Sequence, residues 1–411
     1  MTVRSPSRPL RLWADQEASG ARRVTWLELF FDLVFVAAIA QVGAPLASDY
    51  SLHGLSRYTF LLLPIWWAWH GFAMYITRVD ADDGLQRALT FLQMVAVIFM
   101  AANAEDGLES DSAAGFAAAY AVMRLMLGAQ YLRAMRLPAA RVIARESAIG
   151  LLVTAGVWLT SALTPMPARY GVWAVAVMIE VAIATRGHRH TRALPPDPGH
   201  LPERFGLFTL ILLGESIVSL MKGIQGQPDW SVSAALSALL GIGLIFTIWY
   251  GYFEGAQAAS ERHVRSARDA RRFAIWHQAH IPLYLGLILT AIGIEHVVKA
   301  GGHEPLEHGA EWILCGASSS LLVALTVLGA TSTVATQRRQ PPWRGLILAV
   351  VPLMLAPFAH GVPAVMIVAA ITIIVMLHAV VNLRRIESGA VAQRADDRAC
   401  LSGAPPRNEI S

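Results

Sequence analysis

The sequence predicts an all-α, polytopic integral membrane protein of about twelve transmembrane helices, arranged as two six-helix repeats. Three observations carry this. The 411 residues are 55% hydrophobic and only 15% charged, with mean hydropathy +0.48, whereas a soluble domain carries about 25% charged residues. Apolar runs long enough to cross a bilayer as helices recur from end to end. Basic residues gather in alternate connections between those runs.

The spans fall near residues 26–47, 57–77, 86–104, 112–132, 145–163 and 168–185 in the first half. In the second they fall near 203–222, 232–254, 272–298, 310–332, 343–359 and 361–383. This divides the chain into an N-terminal segment (1–24), a first membrane half (25–185), a linker (186–202), a second membrane half (203–383) and a tail (384–411). Pro195, Pro196, Pro198 and Gly199 mark the linker. Arg22 and Arg23 precede an apolar stretch containing Ala37, Ala38 and Ala40, but Glu28 and Asp32 interrupt it. A retained helix is therefore expected instead of a cleaved signal peptide. Cys315 lies in an apolar run and Cys400 in the tail, so no disulfide framework is indicated.

Charge sets the orientation. The even-numbered connections and the two termini hold twenty-eight of the 33 basic residues, Arg204 among them. The odd-numbered connections hold Arg57, Arg169, Lys222 and Lys299, and Arg124 lies inside a span. The positive-inside rule then puts both termini on the cytoplasmic side of the membrane. The opposite side carries acidic residues such as Glu105, Asp106, Glu109 and Asp111.

The halves also look alike. Trp69-His70-Gly71-Phe72 in the second span is echoed by Trp249-Tyr250-Gly251-Tyr252 in the eighth. Arg87 precedes Gln93 as Arg272 precedes Gln278, and Asp32 corresponds to Glu215. Six spans per half would give both halves one orientation, related by an axis along the membrane normal.

Polar groups inside the spans are the candidate site. Burying a carboxylate in a bilayer costs roughly 2.5–3.5 kcal/mol on insertion scales, and Glu28 and Asp32 share one helical face four residues apart. Asp32 lies nine residues from Arg23, about 13 Å along a helix. Glu180, Arg124, His70, Gln93, His277, Gln278 and His280 fall in the half nearer the basic edge, and Glu215, eleven residues from Arg204, lies nearest the midplane. The expectation is one inward-opening cavity in which Asp32, Glu180 and Glu215 meet Arg124 and several histidines. Such a mixture suits binding of a proton, a cation or a small polar solute. Structural pairing is the plainer alternative for each residue: Glu28 with Arg22 or Arg23, Glu180 with Arg186, Arg124 with a buried carboxylate. His277 and His280 lie three apart, a spacing open to metal ligation or to hydrogen bonding between helices. The loop His303-Glu304-Pro305-Leu306-Glu307-His308 superficially resembles a zinc-protease motif, but its histidines are five apart and Pro305 disrupts a helix. No metal or other cofactor is expected. Arg262, Arg265, Arg268 and Arg272 would line one side of a helix facing anionic lipid.

The run Trp26-Leu27-Glu28-Leu29-Phe30-Phe31-Asp32-Leu33-Val34-Phe35 resembles the bacterial low temperature requirement protein A family. A second block agrees in the right order: Glu203-Arg204-Phe205-Gly206-Leu207-Phe208, then Leu213-Gly214-Glu215-Ser216-Ile217-Val218. The resemblance covers residues 22–385. It implies a multi-spanning membrane protein and marks Glu28, Asp32, Glu203, Arg204, Gly214 and Glu215 as family-typical positions, without roles. A second resemblance is to lysosomal-type potassium channels built from two six-helix repeats with Phe-Ser-Asp in each first helix. Here Phe30-Phe31-Asp32 stands in the first half, with no Asp at that point in the second.

The leading functional expectation is a secondary transporter or permease. An ion channel using the same carboxylates is the alternative, and so is a membrane-embedded enzyme acting on lipid or isoprenoid substrates. The enzyme reading needs an exposed catalytic pair drawn from Glu28, Asp32 or Glu254, and the Asp-rich metal motifs of such enzymes are missing. Nucleic-acid motifs are absent. Small residues at 115–121 permit close packing within a subunit or within a homo-oligomer.

Overall fold

The computed structural model describes residues 8–13, 23–104, 112–190, 194–227, 231–256, 258–332 and 342–401. The acidic loop at 105–111 lies outside these residues, as do Arg4, Arg22, Arg192, Arg338, Arg339 and Arg407. The first compact unit spans residues 1–215 and 261–274; the second spans 216–260 and 275–411.

The helices, in order, are α1 (Trp26–Gly43), α2 (Leu52–Ile76), α3 (Gly84–Ala102), α4 (Ser112–Ala134), α5 (Arg141–Leu163), α6 (Ala168–His190) and α7 (His200–Gln225). They continue with α8 (Val232–Tyr250), α9 (Ala267–Gln278), α10 (His280–Lys299), α11 (Ala310–Ala330), α12 (Trp343–Leu355) and α13 (Ala364–Leu401). Each apolar run read from the sequence is therefore helical. Ten segments are long and apolar enough to cross a membrane, with α9 and α10 counted together as Ala267–Lys299. Among the described residues α6 is not one of the ten, and the apolar stretch Trp343–Phe358, which contains α12, is shorter. At 1.5 Å per residue that stretch is about 24 Å long, against a hydrocarbon core of about 30 Å.

Local chemistry starts these helices. Thr25 caps α1, its hydroxyl accepting from the Glu28 N–H at 3.3 Å. Thr25 and Glu28 have the spacing of a capping box. Ser51 caps α2, Asp83 caps α3 and Ser231 caps α8 in the same way. In the first unit α4 packs on α3 and α5, and α5 on α6. Trp158, Trp173, Tyr120 and Phe116 fill that interior. In the second unit α11 packs on α10 and α12, and α8 on α13.

Several boundaries differ from expectation. The N-terminal segment contains β1 (Arg8–Leu12), which pairs antiparallel with β2 (Val79–Asp82) at the end of α2. Strand pairing this short carries no hydropathy signal. In the ninth span α9 and α10 meet at Ala279, which lies between His277 and His280 and keeps helical backbone angles (φ −64°, ψ −15°). Arg262 and Arg265 precede α9 and only Arg268 and Arg272 lie within it, so the four do not line one helix. Arg262 is buried instead, its N–H bonded to the Pro198 carbonyl at 2.8 Å. The described end of the linker is packed rather than loose. Asp197 accepts from the Gly199 and His200 N–H groups and donates its own N–H to the Thr77 carbonyl.

Two predictions follow from this packing. A Cβ on Gly286 of α10 would stand 2.7 Å from the Ala317 carbonyl oxygen and 2.9 Å from the Leu321 nitrogen of α11, both backbone atoms. Gly286→Ala should therefore destabilise by about 1–3 kcal/mol, lowering the thermal midpoint in detergent. Gly243→Ala, where a Cβ meets nothing within 4 Å, should not lower it. Asp83 accepts from Arg133 Nη1 at 2.9 Å and also from Nη2. Those bonds hold its carboxyl below the usual carboxylate range, so the link is fully present above the unfolded value of about 3.9. It is lost as pH falls through the lower folded value. Asp83→Asn keeps the cap but loses the ion pair. Its deficit in thermal midpoint should be constant above about pH 5 and shrink below about pH 4.

Candidate functional site

The first polar residues along α1 are Glu28 and Asp32, and both are buried. One helical turn separates them, and α7 presents His200 and Arg204 at the same spacing. The two pairs match in order. His200 Nε2 lies 2.8 Å from Glu28 Oε2, and Arg204 Nη2 bonds Asp32 Oδ1. Each bridge joins residues 172 positions apart, so residue number rises in the same direction along α1 and α7. An antiparallel meeting would have crossed the partners.

Asp32 and Arg204 are both 0% exposed. Their surroundings are aromatic. Trp69 of α2 donates its indole N–H to Asp32 Oδ1 at 2.7 Å. The Arg204 guanidinium lies over the Trp69 and Phe72 rings at 5.7 and 5.6 Å. Phe31 packs on Phe35 and Phe72, and Trp69 packs on Phe205 and Phe208. Two donors thus converge on one carboxylate oxygen. Asp32 Oδ2, Arg204 Nε and Arg204 Nη1 are buried without a hydrogen-bond partner. Low dielectric strengthens such an ion pair but makes each unpaired polar atom costly.

A second buried pair lies within the same unit. Arg124 of α4 meets Glu180 of α6 through two parallel bonds of 3.0 Å, Nε to Oε1 and Nη2 to Oε2. The Tyr120 hydroxyl donates to Glu180 Oε2 at 2.7 Å. Arg124 Nη1 also reaches the Trp67 carbonyl at 3.5 Å. The turn of α2 carrying Trp67 and Trp69 therefore touches both ion pairs. Gly71 permits this approach, because a Cβ there would stand 2.9 Å from Leu127 and 3.3 Å from Arg124 Nη1.

The expected single cluster resolves into separate groups. Asp32 is held by Arg204 and Glu180 by Arg124. Glu180 thus pairs with Arg124, and Glu28 pairs with His200; Arg22 and the Arg186 side chain lie outside the described residues. Glu215 is half-buried on α7, eleven residues beyond Arg204, about 16 Å along the axis; it is not brought to Asp32. Gln93 bonds Gln130 at 3.1 Å. His70 stacks on Trp66 with ring centroids 5.0 Å apart. In the second unit His277 is buried and Gln278 half-buried. His280 is fully buried between the Tyr252 hydroxyl (3.0 Å) and the Trp276 carbonyl (2.9 Å). Glu254 is exposed in a π-helical turn after α8.

Sequence reasoning counted Arg204 among loop charges and did not single out His200. The available signal was the repeated four-residue spacing, Glu28 and Asp32 against His200 and Arg204. It stayed hidden because charge counting treats a helix's first turn as loop.

Long apolar helices enclosing paired charges define a multi-pass membrane protein. The chain belongs to the bacterial low temperature requirement A protein family, whose sequence profile matches residues 23–380. It is also similar to an uncharacterized protein of Rhizobium meliloti (strain 1021), at 27% identity over 298 residues, covering 68% of this chain and 71% of that one. No solved structure matches it. The two sequence blocks that carry the family resemblance are the two that meet at Asp32 and Arg204.

Arg124→Lys should cost more than Tyr120→Phe. A lysine ammonium cannot reproduce two parallel bonds to Glu180, whereas Tyr120→Phe leaves both in place and loses the hydroxyl's links to Glu180 and Arg124. Hydrogen bonds to charged groups contribute about 1.5–3 kcal/mol each. Thermal unfolding in detergent checks the order.

Proposed function

We propose that this protein is a secondary transporter or permease of the bacterial cell membrane for a proton, a cation or a small polar solute. The paired charges between α1 and α7 are its coupling element. One observation carries the reading: a fully buried carboxylate and guanidinium bound to each other with three of their polar atoms unpartnered. As a stabilising device this is poor, because apolar residues of similar volume commonly do as well or better. As a switch it is effective. Separating α1 from α7 strands both charges, at about 3–5 kcal/mol for a broken buried pair. A proton on Asp32, or a solute that replaces one partner, offsets that cost. One turn away, Glu28 and His200 can carry a proton between them. Intramembrane ionisable residues ordinarily mark such pathways.

Twelve spans with both termini cytoplasmic fit the same geometry. Parallel α1 and α7 need an even number of crossings by α1 to α6. The first five are candidate spans, so α6 supplies the sixth, anchored inside the unit by Glu180. In the second half α12 supplies the remaining crossing, its short length met by local thinning of the bilayer. Equal orientation of the two halves is what a pair of six-helix repeats requires.

Proteoliposomes with an imposed pH gradient test the proposal. The wild type should carry proton-linked flux, and Asp32→Asn and Arg204→Gln should each abolish it. The decisive protein is the double variant, which removes both charges and relieves the stranded partner. It should fold better than either single variant yet carry no flux. A double variant with full flux would make the pair a structural clasp only.

A further inference from the structure

A cluster of ligating side chains that takes no part in the paired charges lies within the second unit. We propose that His308, Glu311 and His360 form a divalent transition-metal site, with Zn2+ as the fitting ion. One ligand atom from each lies within 4.8 Å of the others. His308 Nδ1 is 3.8 Å from Glu311 Oε1. Tetrahedral zinc with bonds of about 2.0–2.1 Å places its ligand atoms about 3.3 Å apart, so the observed spacing closes with small side-chain rotations. Both histidines are exposed and free to make them.

The backbone holds the ligands in place before any ion arrives. Gly309, at φ +95°, makes a turn that only glycine adopts readily and sets His308 back over the first turn of α11, where Glu311 lies. Gly361, at φ +78°, follows His360 in the connection that leads into α13. The two connections are stapled together. Pro305 bridges Pro363, the Ala364 N–H donates to the Glu304 carbonyl at 3.0 Å, and the Val365 N–H donates to the Gly302 carbonyl at 2.9 Å.

Glu311 supplies the independent sign of a ligand. It is 3% exposed, and its Oε2 is buried without a hydrogen-bond partner. An uncompensated buried carboxylate oxygen is costly, and a cation at this point compensates it. Two imidazoles and one carboxylate suit zinc and disfavour magnesium and calcium, which take oxygen ligands. Three protein ligands leave a coordination position open to water or solute. The motif His303 to His308 does not ligate through its own pair. His308 is recruited instead by Glu311 and by a histidine 52 positions further on. This site does not depend on the transport proposal.

The test is Zn2+ binding to the full chain, purified in detergent without a polyhistidine tag and stripped with chelator, measured by competition with a chromophoric chelator. The wild type should bind one Zn2+ per chain and gain thermal stability from it, and Mg2+ should not compete. His308→Ala and His360→Ala should each weaken binding at least tenfold. His303→Ala should bind as the wild type does. The altered histidines are exposed, so unchanged elution on size exclusion is expected for every variant. Absence of stoichiometric Zn2+ binding to the wild type, or wild-type affinity in both His308→Ala and His360→Ala, overturns the proposal.

Discussion

The ion pair between Asp32 and Arg204 is the interaction on which the first unit turns. It joins the first helix to the seventh across 172 residues. It draws Trp69 of α2 onto the same carboxylate oxygen and sits in a shell of aromatic rings rather than in water. Its partner pair, Glu28 with His200, fixes the register one turn away. Together they make α1 and α7 run the same way, which constrains how the intervening helices cross.

On the transport reading proposed above, buried charge of this kind trades stability for responsiveness. The aromatic shell lowers the local dielectric, which strengthens the attraction and raises the cost of every unpaired atom. The packed arrangement is therefore held tightly until something neutralises one partner. The Arg124–Glu180 pair differs in kind. Its two parallel bonds and the Tyr120 hydroxyl satisfy the carboxylate more completely, as suits a clasp that anchors α6. Both pairs touch the same turn of α2, so a shift of that turn reaches both.

Much of the fold was legible in the sequence because apolar length is a strong signal. Every predicted span is helical, although among the described residues ten segments meet the length and apolarity needed to cross, and alternating charge does not register how short the stretch containing α12 is. Composition could not show the β1–β2 pairing, which depends on a few backbone contacts and not on periodicity. The site was legible in part. Glu28, Asp32, Arg124 and Glu180 stood out because charge is rare in apolar runs. Arg124 and Glu180 are each other's partners, whereas His200 and Arg204 did not stand out as the partners of Glu28 and Asp32, because pairing is a property of three-dimensional register. Glu215 looked equivalent to Asp32 by position in its half, yet it lies three turns of α7 beyond Arg204. The ligating role proposed for His308 was obscured because its neighbours Glu311 and His360 are not the ones its own motif suggests.

The central claim is energetic coupling between Asp32 and Arg204, and a double-mutant cycle on unfolding free energy in detergent measures it most directly. Removing either charge alone should cost about 3–5 kcal/mol by stranding the other. Removing both with Asp32→Asn and Arg204→Gln should cost less than either alone. Additive losses, with the double variant as unstable as the two single variants summed, would show that the two charges do not depend on each other and would contradict the account.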